Sequence, residues 1–242
     1  MDAEKYAFAV KMVNELNLQV QNDTWHGTLR HESFTEKFIE QVSRSHYFID
    51  AGAEFGFYTW LALKYMPKDA KIVAFEPEIE RFIALEQALA PFDLVSVYPH
   101  ALAECEKNIV LYKQSKVHSA TIDKDLSQAK DVTPCESFTS HAVAIDTFLA
   151  EDISSIDIIK MDIEGAEIFA FQGMQKMLTK KQAHIFMEVH GAYVESCYRG
   201  GMNIMREMIK DNNYAIYICD AIACTPSSLT GRVYIAPPAD LA

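Results

Sequence analysis

The chain has 242 residues, 50% of them hydrophobic, and a formal charge of −12. That is enough for one large α/β domain or two small ones with a sizeable core, and no apolar run reaches bilayer-spanning length. Basic residues are few and dispersed, so neither a nucleic acid, whose affinity needs clustered Lys and Arg, nor a membrane is an expected partner.

Met1-Asp2-Ala3-Glu4-Lys5 lacks the basic-then-apolar order of a signal peptide, and a cytoplasmic location is the expectation. Cys105, Cys135, Cys197, Cys219 and Cys224 are scattered, with no CxxC pair. They read as buried or incidental thiols and not as a structural zinc site.

Residues 1–45 read as a helical cover and 46–242 as the main domain. Ala7, Val10, Val13, Leu16 and Val20 form one stripe over residues 2–20, and Asn22-Asp23-Thr24 with Gly27 breaks it. Ser33 and Glu36 make a capping-box pattern ahead of Phe34, Phe38, Ile39 and Val42. Such helices either cover a sheet edge or close over a substrate.

Strand and helix then alternate. Tyr47-Phe48-Ile49, Lys71–Phe75 and Leu94–Tyr98 are short apolar runs, with a helix ending before Pro67 and another near 78–90 between them. This βαβαβ order implies a parallel sheet covered on both faces. Residues 113–141, rich in Lys, Ser, Asp and Gln, are expected to be irregular, either a substrate lid or a surface loop. Ile156–Met161, a helix over Glu167–Leu178, the run His184–Val189 and a helix near 202–211 follow. Tyr214–Cys219 and Arg232–Ala236 read as a terminal antiparallel hairpin. The expected fold is a doubly wound, mostly parallel seven-stranded α/β sheet with that hairpin at its end, an arrangement that resembles the Rossmann-like class I methyltransferases at fold level only.

Chemistry-bearing segments sit at successive strand ends, where open α/β sheets bind ligands. In Asp50-Ala51-Gly52-Ala53-Glu54-Phe55-Gly56, the two glycines let backbone approach a ligand closely. Glu54 replaces the middle glycine of a dinucleotide turn, and Asp50 and Glu54 would repel a pyrophosphate. A cofactor with a cationic amino-acid end, such as S-adenosylmethionine, suits this turn better. Glu76, ahead of Pro77, is placed to accept both hydroxyls of a ribose, and Ala101 lies where an adenine would pack. Asp50, Gly52, Ala53, Gly56, Glu76, Pro77, Ala101 and Asp162 are the expected cofactor contacts.

If their strand stays extended, Lys160, Asp162 and Glu164 share one face. Glu188 and His190 repeat the spacing on the next strand. His190 is the candidate base, oriented by Glu188, with Asp162 and Glu164 positioning the acceptor. Asp162, Glu164, Glu188 and His190 are equally candidates for an oxygen-rich divalent-metal site. The choice between a metal site and a metal-free base stays open.

From about Tyr47 to Ala236 the chain resembles the FkbM family of S-adenosylmethionine-dependent methyltransferases. The resemblance rests on Ile49-Asp50-Ala51-Gly52-Ala53…Gly56-Phe57-Tyr58-Thr59, Phe75-Glu76-Pro77, Ala144-Ile145-Asp146-Thr147-Phe148-Leu149 and Glu188-Val189-His190. Its most specific part is Lys160-Met161-Asp162-Ile163-Glu164-Gly165-Ala166-Glu167. It implies methyl transfer to a hydroxyl of a small molecule or sugar, with Asp50, Gly52 and Gly56 on the methionine part and Glu76 on the ribose. Glu54 departs from the small polar residue usual in such turns. Two other readings remain. An NAD-dependent oxidoreductase is disfavoured by the missing glycine and the terminal hairpin, and a non-catalytic nucleoside-binding relative is kept open by Glu54. Acceptor identity and oligomeric state do not follow from these residues.

Overall fold

The computed structural model describes residues 2–25, 32–113, 120–122, 136–219, 224–226, 229 and 231–238. In chain order the elements are α1 (Ala3–Gln21), α2 (Glu32–Val42), β1 (Tyr47–Ala51), α3 (Phe57–Tyr65), β2 (Lys71–Phe75), α4 (Ile79–Leu89) and β3 (Val95–Tyr98). Then come β4 (His100–Leu102), β5 (Lys107–Lys113), β6 (Ala120–Thr121), β7 (Ser137–Val143), α5 (Ile145–Phe148) and β8 (Ile158–Met161). The chain closes with α6 (Glu167–Gln172), α7 (Gln175–Lys180), β9 (His184–Val189), α8 (Gly191–Cys197), α9 (Gly201–Asp211), β10 (Ala215–Cys219), β11 (Cys224–Pro226) and β12 (Gly231–Ala236).

The main sheet runs β11-β10-β12-β9-β8-β1-β2-β3. Neighbours from β9 to β3 pair in parallel, while β12 lies antiparallel to both β9 and β10. The expected doubly wound order with its terminal hairpin is therefore present, and the three-residue β11 adds an eighth strand at the edge. Burial explains why these runs became central strands. Phe48, Ile72, Ile158 and Phe186 pack on the face that carries α1–α4, and Ile49, Val73, Ile159 and Ile185 pack on the other. Side chains alternate faces along a strand, so only continuous apolar runs satisfy both layers. By the same alternation Asp50, Lys160 and Glu188 turn toward the α1–α4 face.

Several expectations need correction. Ala7 is exposed, because the buried stripe of α1 is Ala9, Val13 and Val20. The helix is capped by Asp2, whose carboxylate accepts from the Glu4 and Lys5 N–H groups. Helix α2 already includes Ser33, so that residue does not stand ahead of the helix as a cap. The helix expected over 167–178 is two short ones. Gly173 separates them, and a Cβ there would stand 2.1 Å from the Ala103 carbonyl oxygen. Part of the 113–141 stretch is ordered into a second sheet, β4-β7-β5-β6, with Ile109, Leu111, Ala103 and Ala142 as its small core. Residues 114–119 and 123–135 lie outside the described residues. Cys105 and Cys197 form no disulfide, but Cys219 is disulfide-bonded, and the β10–β11 register sets it opposite Cys224. Among the described residues no helix is long and apolar enough to cross a membrane.

The N-terminal helices are packed into the sheet by aromatic contacts. The Phe38 ring, fully buried, lies 5.1 Å from that of Phe48, 5.0 Å from Tyr58 and 5.5 Å from Phe186, edge to face in each case. Phe38→Ala is expected to cost about 3–5 kcal/mol, read as a lowered urea midpoint at unchanged slope. A loss under about 1 kcal/mol would show that α2 is a detachable cover.

Candidate active site

A buried ion pair sets the end of the central strands. Asp50 on β1 is fully buried, and its Oδ2 accepts from the Thr59 hydroxyl at 2.7 Å. Lys160 on the adjoining β8 holds its Nζ 3.5 Å from Asp50 Oδ1 and donates to the Gly52 carbonyl at 2.9 Å. Burial works against the ammonium, but Asp50 and Asp162 hold its pKa above the usual lysine value. Asp50 is thus engaged by Thr59 and Lys160 and lines neither cleft described below. Gly52, at φ 75°, is forced by close approach, since a Cβ there would stand 2.0 Å from the Asp162 carbonyl oxygen. Gly56 also lines neither cleft. It caps α3 at φ 85°, and its missing Cβ makes room for Leu85.

Two clefts open along the carboxyl edge of the sheet. The first, about 220 Å³, has Phe75, Glu76 and Pro77 on one side and Ala101, Ile109 and Leu111 on the other. The second sheet therefore supplies one wall, including Ala120 from β6, and Thr121 ties that strand down by donating to the Glu164 carbonyl at 2.8 Å. The second cleft, about 440 Å³, lies under α1 and α2, between Phe8, Met12, Phe34, Phe57 and Tyr58, with Lys160, Glu188 and Arg232 at its polar end. Gly52, Glu54 and Asp162 line both. Of the other expected cofactor positions, Glu76, Pro77 and Ala101 fall in the first cleft and Ala53 in the second.

Glu76 is held rigidly. Its Oε2 accepts from the Glu54 N–H at 2.8 Å and its Oε1 from the Glu78 N–H at 2.9 Å. Glu54 takes a left-handed φ of 54° in making that contact. Burial pushes the Glu76 carboxyl up to about 7, against the nearby Arg81 charge and the two N–H groups. Arg81 is itself buried, paired with Glu78 at 3.2 Å and Glu54 at 3.4 Å, and set over the Phe55 ring.

At the other end of the shared floor, β8 stops at Met161 and Glu164 turns left-handed at φ 51°, so the expected alternation of Lys160, Asp162 and Glu164 breaks. Glu164 lines only the first cleft, and its Oε2 comes within 3.5 Å of His190 Nε2, with Asp162 Oδ1 at 4.0 Å. His190 Nδ1 meets Oε1 of the fully buried Glu167 at 2.9 Å. Glu188 does not orient His190. Strand β9 ends at Val189, so His190 leaves the face that Glu188 keeps, and Glu188 pairs with Arg232 at 2.5 Å. Glu167 and Arg232 are the residues that strand periodicity missed. The former looked like a helix-first-turn acid, and the latter comes from a strand far along the chain.

Burial disfavours charge on His190, but the hydrogen bond and charge of Glu167, with Glu164 and Asp162 beyond, carry its pKa up to about 9. The ring is then an imidazolium at neutral pH, so acting as a proton acceptor requires its neutral form, which gains population as pH rises. In cation-free protein the carbon-bound ring protons of His190 are expected to titrate near 9 by NMR, with Glu167→Gln lowering the midpoint. A wild-type midpoint at or below about 6.5, the free-imidazole value, would contradict this geometry.

The profile of the methyltransferase FkbM domain matches residues 50–216. The chain belongs to the FkbM methyltransferase family. Among solved structures, the methyltransferase FkbM from Methylobacillus flagellatus KT is similar at 16% identity and TM-score 0.49, over 79% of this chain and 43% of that one. This chain thus spans less than half the length of that FkbM relative. The O-methyltransferase TomG from Streptomyces achromogenes, solved with S-adenosylmethionine, is similar at 10% identity and TM-score 0.46, over 98% and 91% of the two chains. An S-adenosylmethionine-dependent O-methyltransferase from Thermotoga maritima matches at 11% and 0.45, over 92% and 70%. Curated protein sequences give no match. FkbM membership implies S-adenosylmethionine as methyl donor, and the donor set fits it. Among the described residues, Glu54, Glu76, Glu78, Asp162 and Glu164 line the first cleft against one arginine, the already paired Arg81. A nucleoside with a cationic tail is favoured there and a pyrophosphate is repelled.

Proposed function

We propose that this FkbM-family protein transfers the methyl group of S-adenosylmethionine to a hydroxyl of a small molecule with an apolar body. The observation that carries the reading is that the carboxylate-lined cleft and the aromatic-lined cleft meet at Asp162. In this reading Glu76 accepts the ribose hydroxyls, Ala101 and Ile109 flank the base, and the carbonyl-side turn at Gly52 guides the cationic end toward Asp162. A bound donor would supply an electrophilic methyl carbon to the acceptor oxygen, the S–CH3 bond breaking to leave a thioether while the hydroxyl proton passes to the Asp162 carboxylate and on to water. Asp162, which faces both clefts, accepts the hydrogen bond of the acceptor O–H and sets its oxygen in line, so that alignment supplies much of the rate.

The walls of the second cleft bear on the acceptor. Phe8, Met12, Phe34 and Phe57 give it apolar surface, and among the described residues its charged groups gather at the floor. A phenol, an alkyl alcohol or a sugar carrying an apolar substituent matches such walls better than a free sugar, whose many hydroxyls would go unpaired.

The test is transfer of labelled methyl to a panel of phenols, alkyl alcohols and free hexoses, with donor affinity measured in parallel. Wild type is expected to methylate members of the first two groups. Glu76→Gln should weaken donor binding about ten-fold or more, the worth of a hydrogen bond to a charged group. Asp162→Asn should lower turnover at saturating donor. Donor binding with no transfer to any hydroxyl would instead favour a nucleoside-binding protein without catalysis.

A further inference from the structure

We propose that Asp162, Glu164 and His190 bind a divalent first-row transition-metal cation, of the Mn2+ kind, at the junction of the two clefts. One donor atom from each of the three residues lies within 4.8 Å of the others. Ligand atoms about 2.1 Å from a common ion stand about 3 Å apart when adjacent and about 4 Å when opposite. The Nε2–Glu164 and Nε2–Asp162 separations of 3.5 Å and 4.0 Å therefore need only side-chain adjustment.

Two further features point to a cation. Asp162 Oδ1 accepts no hydrogen bond among the described residues, and its 4.0 Å distance from His190 Nε2 leaves its lone pairs free to coordinate an ion between them. The second is the carboxylate behind the imidazole. Glu167, fully buried on the first turn of α6, holds His190 Nδ1 at 2.9 Å. A cation would displace the Nε2 proton of the imidazolium, and with the other proton held on Nδ1 by Glu167 the ring would present its Nε2 lone pair to the ion beside Asp162 and Glu164. Metal-bound histidines are oriented in this way by a carboxylate on the far nitrogen, and loss of such a partner typically costs 10–100-fold in metal affinity.

Two carboxylates and one imidazole select among ions. Imidazole is a poor ligand for Mg2+ and Ca2+, whereas the mixed set suits Mn2+, Fe2+ and Zn2+. Three protein ligands leave positions open, and Asp162 lines both clefts while Glu164 lines the first. A hydroxyl oxygen in an open position would lose its proton more readily, as metal-bound water does. That last assignment rests on the methyl-transfer reading, whereas cation binding itself does not.

The experiment titrates MnCl2 into the full chain without methyl donor and follows loss of the free-ion electron paramagnetic resonance signal. One Mn2+ per chain at micromolar affinity is expected, with Mg2+ competing at least ten-fold more weakly. The size-conserving variants Asp162→Asn and Glu164→Gln should each lower affinity at least ten-fold. Glu167→Gln, which touches no ion, should lower it by a comparable factor. Glu106→Gln, altering an exposed carboxylate 3.3 Å from His141, serves as the surface control and should change nothing. Each variant is checked for an unchanged melting profile, and Mn2+ broadening of the His190 ring resonances in wild-type protein gives a reading that needs no substitution. No bound ion at millimolar Mn2+, affinity unchanged in Asp162→Asn, or unbroadened His190 resonances would each overturn the proposal. Methyl transfer that survives exhaustive chelation would leave a cation site intact and remove its link to the reaction.

Discussion

The site depends on one buried cation. Lys160 sits in the middle of the sheet, with its ammonium between the Asp50 carboxylate and the Gly52 carbonyl. Leaving a buried carboxylate without its partner is strongly destabilising, typically by 3–5 kcal/mol, so the pair commits β1 and β8 to a single alignment. That alignment presses Gly52 against the Asp162 backbone so closely that only glycine fits. Asp162 is thereby delivered to the point where the two clefts meet. Thr59 and Asp50 line neither cleft, and Lys160 reaches only the polar end of the second. Together they hold in place the residues where the clefts meet.

Charge is the second organising constraint. Among the described residues, the first cleft gathers five carboxylates around one arginine. Such a concentration of like charge would be untenable if all were buried, bare and ionised. The chain eases it in distinct ways. Glu76 is partly protonated near neutral pH and takes two backbone N–H groups. Glu78 is neutralised by Arg81 and by Lys113 at 2.7 Å. Glu164 and Asp162 face the His190 ring. The cleft therefore stays folded while offering a cationic ligand a favourable field.

The fold was legible because its central strands are apolar on both faces. Runs such as Tyr47–Ala51, Lys71–Phe75 and His184–Val189 sit where periodicity and turn residues put them. The second sheet was not legible. Lys107–Lys113 and Ser137–Val143 alternate polar and apolar residues, bury one face only and are joined by a long polar stretch. Within the site, the strand-end positions fall along the two clefts, with Glu76, Pro77 and Ala101 lining the first. Partner choice was not readable. Period-two reasoning assumes the strand continues, but β8 ends at Met161 and β9 at Val189, each just short of the chemistry. That is why Glu167, and not Glu188, meets His190. The Lys160 and Thr59 partners of Asp50 were equally unreadable: a carboxylate at a strand end looks the same in sequence whether it faces solvent or a buried lysine.

The central claim is that the first cleft holds the nucleoside of a methyl donor on the ionised Glu76 carboxylate. The most direct test is calorimetric titration of S-adenosylhomocysteine into wild-type protein from pH 6 to pH 8. Burial holds the Glu76 carboxyl at about 7, so it is mostly protonated at the low end and mostly ionised at the high end. Protonation removes acceptor capacity for the ribose hydroxyls. Affinity should therefore weaken as pH falls through that value, by up to about ten-fold per pH unit below it. NAD should bind at neither extreme. Affinity for S-adenosylhomocysteine that is absent, or unchanged across this range, would contradict the account.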